Sequence, residues 1–157
     1  IEITFAADDD SGFDFTSVVG GTVSTPPSGL PVGSEAPAAF LTKSAGESFI
    51  GTNFLTVSSG ELISSSNGQV SMRAWMQNND VTVRLKLEDV VAGDSVELSA
   101  ITGSDKANQW QTVSWDFSGS DHSPTYNKAS VFFDAVNASA TEYYLFDDVQ
   151  FDGASGQ

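Results

Sequence analysis

Two groups of carboxylates are the residues in this chain best suited to chemistry. Asp147 and Asp148 stand side by side inside EYYLFDDVQF (142–151), and Asp8, Asp9 and Asp10 form the run in AADDD. Strands disfavour aspartate and adjacent carboxylates repel, so each group calls for a compensating partner. Paired carboxylates serve two chemistries: acid–base cleavage of a glycosidic bond and coordination of a hard cation such as Ca2+, which takes oxygen ligands in a tolerant geometry. The ExDxxE strand motif of sandwich-fold glucanases is absent. With no cysteine and a single histidine, His122 in the loop SGSDHSPTY, a zinc site or Cys–His dyad is excluded. No motif supports a Ser-His-Asp triad either, and His122 is expected at the surface.

A chain of 157 residues, 39% hydrophobic and 11% aromatic, fits one domain with one core. We expect the domain to span residues 1–152, with DGASGQ starting a linker or tail over 153–157. No run approaches the roughly 18 apolar residues of a membrane span. The chain opens directly in a strand, as it would if a leader had been removed or if it were cut from a longer protein. Its 21 acidic and 6 basic residues leave a net charge of −15, which repels nucleic acid and supplies many candidate cation ligands.

Short alternating runs between Gly, Ser, Asn and Asp clusters predict an all-β antiparallel sandwich of about nine strands. These are residues 1–6, 38–43, 48–52, 69–77, 81–88, 95–101, 110–117, 128–135 and 142–151. GGTVSTPPSGLPVGSEAP, with four of the five prolines, reads as a long surface loop. Antiparallel pairing of the first and last strands would set Ile3, Phe5, Val149 and Phe151 inward and bring AADDD beside Asp147 and Asp148. Up to five carboxylates, Asp8, Asp9, Asp10, Asp147 and Asp148, would then crowd one corner, and calcium is the expected occupant. The alternative is a solvated turn at residues 8–10 and loop-capping aspartates in the last strand.

QVSMRAWMQ and VTVRLKLE predict a hairpin with a two-residue turn at Asn79-Asp80, pairing Met76 with Val83, Ala74 with Leu85 and Met72 with Leu87. Its other face would carry an exposed Trp75 opposite Arg84, and Arg73 opposite Lys86. An indole beside cations on a sheet surface is an arrangement that holds sugars, stacking on a pyranose while the cations bind hydroxyls or carboxylates. The alternative is that Glu88, or Glu97 on the next strand, neutralises the Arg73–Lys86 pair and Trp75 lies under a loop. Trp115 shares the inward face with Val113 and Phe117. Trp110 and Asp134 are outer candidates for sugar contact.

VRLKLED, Glu97, ANQWQTVSWDFSGS, YNKASVFFDA and YYLFDDVQF, in that order, resemble a carbohydrate-binding module of the galactose-binding-like jelly-roll type. That type is related to binding-module families four, nine and twenty-two. The resemblance runs from ITFAADD to FDDVQF and includes GESFIGT. It implies a non-catalytic module on a secreted bacterial polysaccharidase, a glycoside hydrolase or polysaccharide lyase. The partner would be an algal or plant polysaccharide: a laminarin-type β-glucan, or an agar, alginate or carrageenan-type glycan. It further implies a structural Ca2+ between the first strand and Asp147 or Asp148. This chain departs from the type with Ala6 where many members carry glutamate, which would move the first-strand ligands to Asp8 and Asp10. The expected protein is extracellular, of marine bacterial origin, and a monomer tethered to its catalytic domain. A jelly-roll glycosidase or lyase, and a structural or adhesion spacer, are the alternatives.

Overall fold

A computed structural model describes residues 15, 17–24, 39–58 and 60–151, and the backbone of residues 2–3. These form eleven strands: β1 (Glu2–Ile3), β2 (Val18–Val19), β3 (Gly21–Ser24), β4 (Ala39–Lys43), β5 (Phe49–Thr56), β6 (Gln69–Met76), β7 (Thr82–Glu88), β8 (Ser95–Ile101), β9 (Gln109–Asp116), β10 (Lys128–Asp134) and β11 (Glu142–Phe151). One sheet runs β3-β4-β11-β6-β9, with β1 also paired to β11, and the other runs β2-β5-β10-β7-β8. The predicted all-β antiparallel sandwich is the observed architecture. The proline-rich segment was expected to be loop throughout, but its first residues, Gly21–Ser24, pair with β4. Residues 25–38, which hold its prolines, lie outside the described residues, as do residues 152–157.

Alternation correctly assigned which side chains face inward. Val70, Met72, Ala74 and Met76 of β6 and Val83, Leu85 and Leu87 of β7 are all buried. It did not assign their partners, and the expected β6–β7 hairpin is absent. β6 pairs with β11 and β9, whereas β7 pairs with β10 and β8. The chain crosses between sheets at residues 77–81, through Asp80 in the left-handed region (φ 53°). An apolar face can be covered by a neighbour in its own sheet or by the opposite sheet, and a period of two does not distinguish them. Trp115 lies in the core as expected, its indole N–H donating to the Val83 carbonyl at 3.2 Å.

The central strand β11 contains a register break between Asp147 and Gln150. Before it the even-numbered Tyr144 and Phe146 belong to the main core; after it the odd-numbered Val149 and Phe151 do. Asp148 is the residue that switches parity, with φ at 49°, a left-handed conformation that aspartate tolerates better than most residues. Its Oδ1 accepts from Gln150 Nε2 at 3.0 Å.

Side-chain carboxylates also fold the loops. Asp89 accepts from the amides of Val91 and Ala92 through Oδ1, and from Thr125 through Oδ2. It thus ties the β7–β8 turn to the entry of β10. The Ala92 amide chiefly, then those of Thr125 and Val91, hold its carboxyl below the usual range against desolvation, which acts upward. A depressed folded-state pKa contributes stability above the unfolded value of about 3.9 and loses it as pH falls through the folded value. We expect Asp89→Asn to lower Tm at pH 7, with the gap to the parent closing toward pH 2. A gap independent of pH would contradict a charged role for Asp89.

Candidate functional site

The predicted sugar-contact residues divide between the two outer faces of the sandwich. Arg73, Trp75 and Trp110 belong to the six-stranded sheet; Arg84, Lys86 and Asp134 belong to the five-stranded one. Because β6 and β7 are not neighbours, Trp75 does not face Arg84, nor Arg73 Lys86. The expectation of an exposed Trp75 is also corrected: it is 4% exposed, clustered with Phe40 and Leu145 and flanked by Trp110 and Tyr143. Phe40 and Tyr143 stack with ring centroids 5.6 Å apart. Arg73 stands opposite Asp147 in the β6–β11 register and donates to Thr112 Oγ1 at 3.2 Å. This outer face of the sheet is therefore a second apolar cluster, with its tryptophan enclosed.

The five-stranded sheet presents a different outer surface. On β10, Ala129, Val131 and Phe133 point inward, which leaves Phe132 outward with Ser130 and Asp134. Gly51 of β5 stands opposite Phe132, and a Cβ on Gly51 would fall within the Phe132 ring. The ring therefore lies across the bare backbone, a close approach that only glycine allows. Phe49 meets it edge to face at 5.9 Å. The Arg84 guanidinium sits 5.0 Å from the Phe132 centroid and 5.4 Å from that of Phe49, an attractive cation–π placement. Two carboxylates hold it there: Asp134 at 2.8 Å and Glu97 at 3.3 Å.

Next along the sheet, Lys86 lies 3.7 Å from Glu88, and Lys128 stands opposite Glu88 in the β10–β7 register. Gly51, Asn53, Lys86, Glu88, Lys128 and Phe132 line a shallow cleft of about 180 Å³. That is smaller than the roughly 300 Å³ or more of an enclosed small-molecule pocket, and it suits one stretch of an extended ligand on an open sheet. Three cations meet three carboxylates on this face. The surface is polar and orienting, with little net charge: Glu88 pairs with Lys86 and Glu97 with Arg84, whereas the expected Arg73–Lys86 pair is divided between the two sheets.

Phe49, Gly51 and Phe132 were missed as site residues. The signal was in KASVFFDA, where Phe132 takes the parity of Ser130 and Asp134. The approach of Gly51 beneath it follows from β5–β10 pairing, which the sequence does not specify. His122, expected at the surface, is half-buried, with Nε2 enclosed. Asp8 and Asp10 lie outside the described residues. Among the described residues no group of three or more His, Asp or Glu side chains is gathered as for a metal.

Two stacked antiparallel sheets with this strand order define a jelly-roll β-sandwich, the fold the resemblance implied. No protein-family model matches the chain, and no curated protein matches it. Among solved structures, a family 29 carbohydrate-binding module superposes with a TM-score of 0.61 at 16% identity, covering 98% of this chain and 89% of that one. A variant family 29 module complexed with cellulohexaose gives 0.59 at 16% identity, covering 94% and 86%. Another, complexed with mannohexaose, gives 0.57 at 15%, covering 90% and 82%. At these identities the likeness establishes the fold.

The Gly51–Phe132 contact is open to a direct test. Gly51→Ala should cost roughly 1–3 kcal/mol in denaturant unfolding, because the ring must leave its place. In a Phe132→Ala background the same change should cost much less. Equal costs in both backgrounds would show that the ring does not rest on Gly51.

Proposed function

We propose that this chain is a non-catalytic carbohydrate-binding module and that its glycan lies along the outer face of the five-stranded sheet. The observation that carries the reading is the Phe132 ring laid across Gly51, with Arg84 and its carboxylates beside it. A flat apolar ring supports the apolar face of a pyranose, while the adjacent charged groups offer donors and acceptors to hydroxyls. Arg84, Lys86 and Asp134 keep the role expected of them, joined by Phe132 and Phe49. The fold shared with modules whose structures contain cellulohexaose and mannohexaose supports the same reading.

Charge pairing selects among the candidate glycans. A uronic-acid or sulfated chain would need cations not already answered, yet Arg84 and Lys86 have carboxylate partners within 4 Å. A neutral glycan, such as a laminarin-type β-glucan or another algal or plant polysaccharide of neutral hexoses, fits better than alginate or carrageenan. The described carboxylates of the face are committed to cations, which leaves the glycosidase or lyase reading without an evident acid–base pair. Attached to a secreted polysaccharide-degrading enzyme, such a module would raise the enzyme's effective concentration at the substrate without new chemistry.

Affinity electrophoresis in gels of laminarin, agarose, alginate and carrageenan tests the assignment. We expect retardation by a neutral glycan, loss of at least most of it in Phe132→Ala and Arg84→Ala, and near-parental retardation in Trp75→Leu. Retention by both face variants would remove the site, and turnover of any glycan by the isolated chain would overturn the non-catalytic reading.

Calcium remains part of the proposal. β1 runs antiparallel to β11, Glu2 opposite Gln150 and Ile3 opposite Val149, so it points along β11 toward Asp148. The bulge sets Asp147, 8% exposed, and the half-buried Asp148 at consecutive positions there, an oxygen donor set suited to a hard cation. Bound Ca2+ would supply a structural crosslink between the first and last strands. We expect Tm to rise with millimolar Ca2+ and fall on chelation, since a ligand of the folded state alone must stabilise it. A Tm unmoved by chelator and by added Ca2+ would count against the metal.

A further inference from the structure

Lys43 closes β4 at an inward position. Ala39, Leu41 and Lys43 share the core-facing parity, and Lys43 has no exposed surface. Burying an ammonium is costly unless every donor is satisfied. Its Nζ donates toward four backbone carbonyls: Ser44 at 3.0 Å, Glu47 at 3.1 Å, Ala138 at 3.4 Å and Ala140 at 2.6 Å. The nearest candidate counter-charge is Glu142, opposite Lys43 in the β4–β11 register and 3% exposed. Its carboxylate is engaged elsewhere. Oε2 accepts from Asn78 Nδ2 at 2.5 Å and from the Asn137 amide at 3.3 Å, while Oε1 accepts from the Tyr144 hydroxyl at 3.1 Å. The ammonium's hydrogen bonds thus all go to backbone carbonyls, drawn from two separate loops, with the Glu142 charge across the strand pair but not bonded to it.

Rings of carbonyl oxygens without carboxylates are the chemistry by which proteins hold monovalent cations such as K+. The Nζ–oxygen distances of 2.6–3.4 Å are those of N–H···O bonds, and an ion in the place of Nζ would meet these oxygens at or beyond the upper end of the roughly 2.3–2.6 Å that Ca2+ takes. We propose that these carbonyls form a monovalent-cation cage that the chain fills with its own Lys43 ammonium. The tethered cation clasps the β4–β5 turn (Ser44, Glu47) to the β10–β11 loop (Ala138, Ala140). Two backbone bonds join the same segments, Gly46 N–H to Ala138 O at 2.7 Å and Ala135 N–H to Ser48 O at 2.9 Å. β5 starts at Phe49 where that turn ends, and β10 stops at Asp134 where that loop begins. These two residues hold Arg84 from either side, so Lys43 is also a positioning residue for the outer face. That second step rests on the glycan-binding reading; the cage itself does not.

Melting curves and gel retardation of the parent, Lys43→Met and Lys43→Ala test both steps, in KCl, ammonium chloride and tetramethylammonium chloride at equal ionic strength. Met fills the volume without charge and takes the Nζ donor from all four carbonyls, of which Ser44 O and Ala138 O keep an amide donor, so Tm should fall by roughly 10 °C in all three salts. Ala empties the cage. Its Tm should fall similarly in tetramethylammonium, which is too large to enter, and recover by several degrees in K+ or ammonium, with no such preference in the parent. In nitrogen-labelled parent, one lysine ammonium resonance should persist at neutral pH and be missing from Lys43→Met. A Met variant that melts with the parent, an Ala variant indifferent to the cation, or no persistent ammonium signal would each overturn the cage. If Lys43→Ala does not fold, the Met variant and the parent spectrum decide. Cation rescue of Tm in a parent without glycan affinity would keep the cage and remove the positioning role. Several-fold weaker glycan retention in Lys43→Met, restored by K+ in Lys43→Ala, supports both.

Discussion

The structure depends on the parity switch at Asp148. Among the described strands β11 alone is bonded to three others, with β4 and β1 along one edge and β6 on the other. Without an extra residue, Val149 and Phe151 would point out of the sandwich on the parity that Tyr144 and Phe146 set. One residue in the left-handed conformation returns them to the core, where the Phe54 ring lies 5.5 Å from that of Phe146 and 6.4 Å from that of Phe151. The tandem aspartates that interrupt the strand pattern are therefore first a backbone feature. Asp148 accepts a backbone conformation that a β-branched residue would resist, and Asp147 takes the outward position facing Arg73. A cation at this corner would reinforce an arrangement that already has a conformational reason.

The two outer faces of the sandwich show how similar residue types diverge. The six-stranded sheet gathers its aromatic residues into a second apolar cluster around an enclosed Trp75. The five-stranded sheet leaves Phe132 and Phe49 half-exposed, because Gly51 lets Phe132 lie down and Arg84, held by two carboxylates, packs against both rings. The proposed recognition surface would thus be made from a missing side chain and a compensated charge. Paired charges orient hydroxyls without attracting anions, which is the reason a neutral glycan is proposed for this face on a chain of net charge −15. Carbonyls perform a related task at the end of β4, where the Lys43 ammonium takes the place a mobile ion would otherwise fill.

By itself the sequence determined the longer strands, the faces they bury and the fold class, though not β2 and β3, because alternation of apolar residues is a local record of burial and those two are short. Val70, Met72, Ala74 and Met76 could be assigned inward from that pattern alone, and so could Val113, Trp115 and Phe117. The same local record carries no information about which strand lies alongside. Only the tertiary structure decided that β6 and β7 lie in different sheets, and with that it separated Trp75 and Arg73 from Arg84 and Lys86. The inward parity of Lys43 and the outward parity of Phe132 were legible as exceptions to the pattern. Their meaning was not, since the carbonyls around Lys43 and the glycine beneath Phe132 come from strands and loops distant in the chain. Contacts of that kind are set by long-range pairing, which minimises exposed apolar area over the whole sandwich rather than within any one segment.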